Sequence, residues 1–309
     1  MKIGVIGCGC VGFNTLKAFS MKGHECLGYD IDEKIEKRIA EELGEAHIAH
    51  CMDDLRNCTL IFACVPTEQL DETGACNVII LQDIVEQVSH LEELRDYKCE
   101  VFVQRSTCPP GTAKSMKKLL RRTEYAVNPS FLRKNMQWID TIKPERISYA
   151  GSEYAISLLD KVYEPFECSA IYKSENMEVV ELLKYCENVV DAVLISLWNE
   201  LLMTSDCLGI SRDDFTSMID AFTARPKFAS SLRIPSKAFG LWCLPKDVAA
   251  FIHMINQYNG LHFVLQGAKE TNDFMAAHNG VNELPASDLY EIKNGRIIPT
   301  KQARILLHL

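Results

Sequence analysis

One cysteine in this sequence stands where a thiol could act as a nucleophile. Cys243 precedes a predicted helix that starts near Asp247, and Lys246 lies between them. Because thiolates are favoured near helix N-termini and beside cations, Cys243 is a candidate to add to an aldehyde. Loss of a hydride from that adduct leaves a thioester, which water converts to an acid. The alternative is a buried structural thiol, since the chain has 13 cysteines.

Two polar side chains lie four residues apart within a long predicted helix. Lys184 and Asn188 therefore project from one helix face. An ammonium group and an amide placed side by side can hold a substrate oxygen and stabilise the negative charge that develops on it. A solvated helix surface is the alternative, and the spacing alone leaves both interpretations open.

A glycine-rich segment at the start of the chain predicts a dinucleotide site. Residues 7–12 read G-C-G-C-V-G, follow a predicted strand and open a predicted helix. Gly7 permits the tight turn, Gly9 lets the backbone approach a pyrophosphate, and Gly12 allows helix and strand to pack closely. Asp30, at the end of the second predicted strand, can accept hydrogen bonds from both ribose hydroxyls. Its negative charge would repel a 2′-phosphate, so NAD is favoured over NADP. A glycine turn without a ligand is the alternative. The residues assigned to NAD in this segment are Gly7, Gly9, Cys10, Val11, Gly12 and Asp30.

Two loops that follow predicted strands are also assigned to the cofactor. In open α/β sheets, ligands lie at the carboxyl ends of the strands. Val65-Pro66-Thr67 and Ser106-Thr107 occupy such positions, although either segment could be a plain turn.

The elements that must position these side chains alternate strand and helix in the first part of the chain. The alternation predicts an α/β fold with an N-terminal Rossmann-type, doubly wound parallel sheet. From Ser174, a plausible N-cap, a long helical stretch runs to about Asp206, and further helices predict an all-helical second domain with a long central helix. We place the domains at 1–173 and 174–309, with a short C-terminal hairpin that turns at Asn294-Gly295. The predicted strands are 2–6, 24–30, 59–65, 99–104, 124–127, 146–150 and 168–172, and the predicted helices are 13–21, 33–43, 77–93, 112–121, 152–163, 174–206, 211–222, 247–258 and 260–278.

Composition restricts the class of function. The 309 residues, 47% hydrophobic and 24% charged, are typical of a globular protein of two domains. A net charge of -9 argues against nucleic acid as a partner, and the absence of a long apolar run argues against a membrane span. The irregular cysteines, with no signal peptide ahead of them, predict reduced thiols in a cytoplasmic protein. No metal site is predicted, because His47, His50 and Cys51 have no second ligand pair nearby.

Four segments, taken in order, resemble motifs of the UDP-glucose/GDP-mannose 6-dehydrogenase family. They are the glycine-rich segment 7–12, S-T-C-P-P-G-T at 106–112, K-x-x-x-N at 184–188 and F-G-x-x-C-x-P-K-D at 239–247. A fifth segment, N-P-S-F-L-R at 128–133, matches in part. The resemblance covers about residues 1–275.

The resemblance implies an NAD-dependent oxidoreductase that acts on CH–OH. Such an enzyme oxidises the C6 primary alcohol of a nucleotide sugar such as UDP-glucose to the uronic acid in two hydride transfers, for polysaccharide precursors. By position, Cys243 would carry the thiohemiacetal and thioester, Lys184 and Asn188 would hold the reacting oxygens, Asp247 would assist proton transfer and Thr107 would position a water. The long central helix would form a homodimer. The implied substrate-binding residues are Ser130, Phe131, Leu132, Lys184, Asn188, Phe239 and Gly240.

Several departures from the family pattern bear on activity. Ser130 replaces a glutamate assigned as the base for thioester hydrolysis, and a hydroxyl is a poor base near neutral pH. Lys134 replaces a second glutamate, and Leu241 and Trp242 stand where small residues are usual. The family also has a C-terminal nucleotide-binding domain, for which 279–309 leaves no room, so weaker affinity for UDP or GDP is expected.

Two other functions stay open. The first is a β-hydroxyacid-type dehydrogenase that transfers one hydride, with Lys184 as the acid/base and Cys243 incidental. The second is a catalytically impaired homologue that binds NAD and acts with a partner chain. The number of NADH molecules formed per substrate separates them, at two for the sugar oxidation, one for the hydroxyacid reaction and none for the impaired protein.

Overall fold

The computed structural model describes residues 1–70, 73–133, 136–225, 238–240 and 243–277, and the backbone alone at 278–279, 281–282, 290–293 and 296–299. The chain forms two compact units. The first comprises 1–68, 76–132 and 136–184, and the second comprises 69–75, 133–135 and 185–309. The last passage of the chain from the first unit to the second, between residues 184 and 185, lies inside a helix. The boundary that we predict between residues 173 and 174 stays a prediction.

The first unit is built on a sheet of seven described strands in the order β2-β1-β3-β4-β5-β6-β7. Neighbouring strands from β2 to β5 are parallel, and so are β6 and β7. The strands are β1 (Lys2–Ile6), β2 (Glu25–Tyr29), β3 (Leu60–Ala63), β4 (Val101–Gln104), β5 (Glu124–Val127), β6 (Arg146–Gly151) and β7 (Ala170–Ser174).

The prediction of an all-parallel sheet is wrong at one place. Strand β6 runs antiparallel to β5, with Ala126 opposite Gly151 and Val127 opposite Ala150. The connection between these two strands therefore stays at the carboxyl edge of β5 and needs no helix across the sheet. An apolar strand that is buried on both faces carries no mark of its direction, which is why the sequence did not reveal the reversal.

Helices cover both faces of this sheet, so every residue of β3 and β4 is buried. One core gathers Leu81, Val85 and Phe102, and the other gathers Phe19, Phe62 and Tyr163. The predicted Rossmann-type fold class is confirmed. The helices are α1 (Cys10–Met21), α2 (Glu33–Leu43), α3 (Ile79–Leu91), α4 (Thr112–Met116), α5 (Gln137–Ile142), α6 (Glu153–Tyr163) and the first turns of α7 (Met177–Cys207).

Helix α7 begins three residues later than predicted. Ser174 closes β7 instead of capping the helix, and the Asn176 side chain accepts the Glu178 N–H at 3.0 Å. Ser174 is the last residue of β7 and pairs with Ala150 of β6, so the prediction that it caps the helix is wrong. The helix then continues for 31 residues.

The second unit is helical, as predicted. Besides the rest of α7 it contains α8 (Arg212–Thr223), α9 (Cys243–Gln257) and α10 (Phe263–Asn279). Its core joins Ala192 and Ile195 of α7 to Phe239, Leu244 and Val248. Two short strands, β8 (Ala238–Phe239) and β9 (Val281–Asn282), pair in parallel. Antiparallel β10 (Tyr290–Lys293) and β11 (Arg296–Pro299) form the predicted hairpin, whose turn at 294–295 lies outside the described residues.

Helices α9 and α4 differ most in extent from the prediction. Helix α9 starts at Cys243 itself and not near Asp247, because Pro245 falls in the first turn, where proline is tolerated. The α-helix predicted over 112–121 stops at Met116 and continues as one 3₁₀ turn to Leu119. In the described part of the chain, no helix combines the length and the apolarity that crossing a membrane requires.

Candidate active site

The glycine-rich turn has the geometry that a dinucleotide needs. Gly7 has φ 79°, and a Cβ there would lie 2.9 Å from the Cys64 carbonyl oxygen. A Cβ on Gly12 would lie 2.0 Å from the Gly7 carbonyl oxygen, so the first and third glycines are required by packing. A Cβ on Gly9 would meet no atom within 4 Å. The middle glycine therefore faces open space, where a ligand could approach the backbone.

Helix α1 begins directly after this turn, at Cys10. Its N-cap is Gly9, and no side chain caps its first turn. The N–H groups at a helix start carry partial positive charge and suit an anion. Cys10 is exposed and Val11 is half-buried, so both lie beside this helix end. The turn and the helix end together fit the pyrophosphate of NAD.

Asp30 lies next to the glycine turn, directly after β2. The Gly7 N–H donates to the Tyr29 carbonyl at 2.9 Å, which ties the turn to the end of that strand. The half-buried Asp30 accepts the Asp32 N–H at 3.0 Å through Oδ1. Ile31, which sequence reasoning did not single out, is 91% exposed at the same strand end. The carboxylate is placed where it can bind a ribose.

The two predicted cofactor loops are hydrogen-bonded to each other. Thr67 Oγ1 donates to the Thr107 carbonyl at 2.7 Å, and Ser106 Oγ donates to the Val65 carbonyl at 2.7 Å. Val65, Thr67 and Ser106 are buried, Thr107 is half-buried and Pro66 is exposed. The structure thus brings both loops together at the carboxyl ends of β3 and β4.

The segment after β5 is anchored by a buried arginine. Arg105 Nη1 donates to Asn128 Oδ1 at 2.5 Å and to the Tyr163 hydroxyl oxygen at 3.1 Å. Asn128 Nδ2 in turn donates to the Ser148 carbonyl at 2.9 Å. Arg105 thereby fixes the start of the segment that carries the predicted residues Ser130, Phe131 and Leu132, all of them partly exposed.

Phe131 lies beside two cations. The Arg146 guanidinium carbon is 4.1 Å from the ring centre, and Lys184 Nζ is 5.2 Å from it. Both distances suit a cation–π contact. The structure therefore brings Lys184 to one of the predicted substrate-binding residues.

In the second unit, Asn188 and Asp247 meet as a buried pair. Asn188 Nδ2 donates to Asp247 Oδ2, and Lys246 Nζ lies 2.5 Å from Asp247 Oδ1. Asp247 is 1% exposed. Because both its oxygens have partners, this carboxylate is held in one orientation. The amide one turn after Lys184 on α7 is thereby linked to α9.

Cys243 is the first residue of α9, and its side chain is exposed. Asp247 follows one helical turn later, so the two side chains project from the same side of α9. The thiol is accessible, in contrast with the buried Cys8, Cys26, Cys58, Cys99 and Cys108. Accessibility and a helix start are both conditions that favour a reactive thiol.

The segment ahead of Cys243 is held through its backbone. The Phe239 N–H donates to Asn272 Oδ1 at 2.7 Å, and Asn272 Nδ2 donates to the Phe239 carbonyl at 3.1 Å. The Phe239 ring is buried in the core and Gly240 is half-buried. Leu241, Trp242 and Lys134 lie outside the described residues.

Sequence reasoning missed several residues that hold these groups in place. Arg105 directly precedes Ser106, but nothing in its type or position predicts a contact with Asn128. Glu181, which accepts three hydrogen bonds in the first unit, stands inside the apolar run V-V-E-L-L. A carboxylate within an apolar helical run is a signal that could have been used, because such a group is buried only when it has partners.

Comparison with known proteins places both units in one family. Residues 1–167 match the NAD binding domain model of the UDP-glucose/GDP-mannose dehydrogenase family, and residues 178–274 match the model of its central domain. A UDP-glucose dehydrogenase from Pyrobaculum islandicum has a similar fold, with a TM-score of 0.78 and 24% identity over 89% of this chain and 68% of that structure.

Two curated relatives are longer than this chain. An uncharacterized protein of Methanocaldococcus jannaschii is 29% identical over 276 residues, which are 82% of this chain and 30% of that protein. The UDP-glucose 6-dehydrogenase TuaD of Bacillus subtilis is 24% identical over 304 residues, which are 90% of this chain and 64% of the enzyme. The chain thus spans less than two thirds of both relatives. From the two matched models, which together cover most of its length, the chain belongs to the UDP-glucose/GDP-mannose dehydrogenase family and carries that family's NAD binding domain.

Proposed function

We propose that this chain oxidises the C6 primary alcohol of a nucleotide sugar to the carboxylate, with NAD as the oxidant and Cys243 as the nucleophile. The observation that carries the proposal is the exposed thiol at the start of α9, one turn before a buried Asp247 that is fixed by Asn188 and Lys246. The Bacillus subtilis relative and the Pyrobaculum islandicum structure are UDP-glucose dehydrogenases, and we extend that substrate class to this chain.

NAD, when bound at the glycine turn, supplies the acceptor for each of the two hydrides that leave the sugar carbon. Lys184 and Asn188 hold the oxygen on that carbon, and the ammonium stabilises the negative charge that grows on it. Loss of the hydroxyl proton and of the first hydride gives the aldehyde.

The second oxidation uses the thiol. Cys243 loses its proton as the S–C bond to the aldehyde carbon forms, and the former carbonyl oxygen gains a proton to give the thiohemiacetal. Loss of that proton and of the second hydride leaves a thioester. Water then cleaves the S–C bond, which restores the thiol and releases the carboxylate. Asp247 assists the proton transfers, and Thr107 positions the water.

The stoichiometry of the reaction tests the proposal. The purified chain is incubated with limiting UDP-glucose and with related nucleotide sugars, and NADH is measured by absorbance while the sugar product is identified by mass spectrometry. The proposal expects two NADH and one carboxylate per sugar consumed. One NADH and a carbonyl product would favour the single-hydride reaction, and binding of NAD without NADH formation would favour the impaired homologue.

A second candidate is the single-hydride oxidation of a β-hydroxy acid. The replacement of the family glutamate by Ser130 favours it, because that reaction needs no base for thioester hydrolysis. Lys184 would then act as the acid/base and Cys243 would have no role. A panel of β-hydroxy acids in the same NADH assay tests this candidate.

The glycine turn allows a paired test of NAD binding. Gly9→Ala is expected to leave the melting temperature nearly unchanged, because its Cβ meets no atom, and to weaken NAD binding by at least about tenfold, which is about 1.4 kcal/mol. Gly12→Ala is expected to cost about 2–3 kcal/mol of stability, because its Cβ would overlap the Gly7 carbonyl. Calorimetric titration with NAD and thermal unfolding measure the two effects. Unchanged NAD affinity in Gly9→Ala would contradict the assignment of the site.

We also propose that the chain forms a homodimer through α7. Five of its apolar side chains are 37–54% exposed at helical spacing, a pattern typical of a helix packed against a partner. Analytical ultracentrifugation of the purified chain checks the dimer. The five residues are Val179, Leu182, Val190, Leu197 and Leu201.

A further inference from the structure

A buried carboxylate in the first unit holds the loop that carries Thr107. Glu181, in the second turn of α7, is 2% exposed. Its Oε2 accepts the Gly111 N–H at 2.8 Å, and its Oε1 accepts the Ala113 N–H at 2.9 Å and Gln104 Nε2 at 3.1 Å. Hydrogen bonds to an ionised acceptor are about twice as strong as neutral ones. Three such bonds converge on one side chain from β4 and from the start of α4.

The loop held in this way is the segment 106–113. Gly111 has φ 96°, a left-handed conformation that favours glycine, and its N–H donates to Glu181. Thr112 closes the turn, since its N–H and hydroxyl both donate to the Pro109 carbonyl, at 3.1 and 2.7 Å. Thr107 lies in the same loop, four residues before Gly111.

Glu181 also precedes Lys184 by three residues on the same helix, so both project from one side of α7. We propose that Glu181 is a positioning residue, whose carboxylate clamps the loop 106–113 to the turn of α7 that carries Lys184 and so fixes Thr107 relative to that lysine. The clamp itself depends only on contacts within the first unit, whereas its effect on turnover rests on the proposed function.

The clamp responds to protonation. Burial raises the pKa of Glu181 to about 7, although its three N–H donors act in the opposite direction. Below that pH one carboxyl oxygen of Glu181 carries a proton and becomes a poorer hydrogen-bond acceptor. The hydrogen bond from the Gly111 N–H or from the Ala113 N–H therefore weakens. Because the folded chain binds this proton more tightly than the unfolded chain does, the group adds to global stability as the pH falls from about 7 toward 4.5. Loop protection and global stability therefore change in opposite directions.

The other ionisable groups near the clamp leave this interpretation intact. The Tyr125 hydroxyl donates to Gln104 Oε1 at 2.9 Å, and burial holds the pKa of Tyr125 well above its usual value, so it stays protonated at neutral pH. Cys108 is a buried thiol on the same loop. Glu178, on α7, forms an exposed ion pair with Lys114 at 3.8 Å, and its negative charge adds to the effect of burial in raising the pKa of Glu181.

Hydrogen exchange of the whole chain tests the clamp without reference to any substrate. In the native protein, peptides that cover 109–116 are expected to exchange at least about tenfold faster at pH 6 than at pH 8, after labelling times are scaled to the intrinsic pH dependence of amide exchange. In Glu181→Gln the same peptides are expected to exchange fast at both pH values. A side-chain amide has one acceptor oxygen, and its NH2 group cannot accept the second backbone N–H. Glu200→Gln, which removes an exposed carboxylate farther along the same helix, is the matched control and is expected to keep the native profile.

The catalytic half of the proposal is tested by turnover. The native chain is expected to lose activity below pH 7, where Glu181 is protonated and the clamp weakens. Glu181→Gln is expected to lower kcat by about tenfold or more and to abolish this pH dependence, while the KM for the sugar changes less. Two results would overturn the clamp. One is hydrogen-exchange protection of 109–116 in the native chain that does not change between pH 6 and pH 8, and the other is equal protection of this segment in Glu181→Gln and in the control variant. If the native chain forms no NADH from any nucleotide sugar, the proposed function fails, and the exchange measurement still decides the clamp.

Discussion

Replacing Cys243 by alanine is expected to lower the rate of uronic acid formation by at least about 1,000-fold. Without the thiol, the aldehyde cannot form a thiohemiacetal, so the second hydride is not released from a covalent adduct. The first oxidation does not need the sulfur, and the variant is therefore expected to form at most one NADH per sugar. Coupled measurement of NADH and of the acid by mass spectrometry separates the two steps.

Cys207→Ala is the matched control, because Cys207 is also an exposed thiol but lies at the far end of α7. It is expected to keep the native stoichiometry. Because Cys243 is exposed at a helix start, its substitution is expected to change the melting temperature little. A Cys243→Ala protein that still forms two NADH and one acid per sugar at the native rate would rule out the covalent route.

The second large effect concerns hydrolysis of the thioester. The resemblance to the family motif implies that Ser130 takes the place of a glutamate, so the native chain is expected to release a rapid burst of two NADH per active site and then turn over slowly. Ser130→Glu is expected to raise the steady rate by about 100-fold or more, because a carboxylate that is ionised at neutral pH can take a proton from the attacking water. Stopped-flow absorbance measures both phases, and mass spectrometry of the quenched protein detects the acyl group.

Ser130→Gln is the control for this substitution, since glutamine has the size of glutamate but is not a base. It is expected to keep the burst and the slow phase. The cations of Arg146 and Lys184 beside Phe131 make a new carboxylate at the neighbouring position electrostatically acceptable. Equal steady rates in the native chain and Ser130→Glu would show that another group serves as the base.

The periodicity of the sequence predicted most elements of the first unit, because each is long enough to bury an apolar face. The strand 124–127 and the helix 33–43 have the predicted bounds. The antiparallel direction of β6 was not predicted, because strand pairing depends on where the connection runs and not on residue type. Helix α9 starts at Cys243, four residues before the predicted start near Asp247, and the first turn of a helix accepts a proline such as Pro245.

The candidate site was predictable where chemistry depends on residue type and local spacing. The glycine turn is of this kind, as its positive φ and close contacts follow from the motif. Contacts that join distant segments were not predictable. The bonds of Glu181 to Gly111 and Ala113 span about 70 residues, and neither partner contributes a side chain to them. Backbone donors carry no sequence signature, so only coordinates reveal such a clamp.

The continuity of α7 has a practical consequence for dissecting the protein. Proteases cut where several residues of backbone can be drawn out into an extended form, and an intact helix resists this. Since the chain leaves its first unit for the last time between Lys184 and Tyr185, inside that helix, this passage offers a protease no extended linker. A recombinant fragment that stops at residue 173 would also lack Glu181, which accepts the N–H groups of Gly111 and Ala113. Fragments meant to isolate the nucleotide-binding half should therefore retain the helix at least through Lys184.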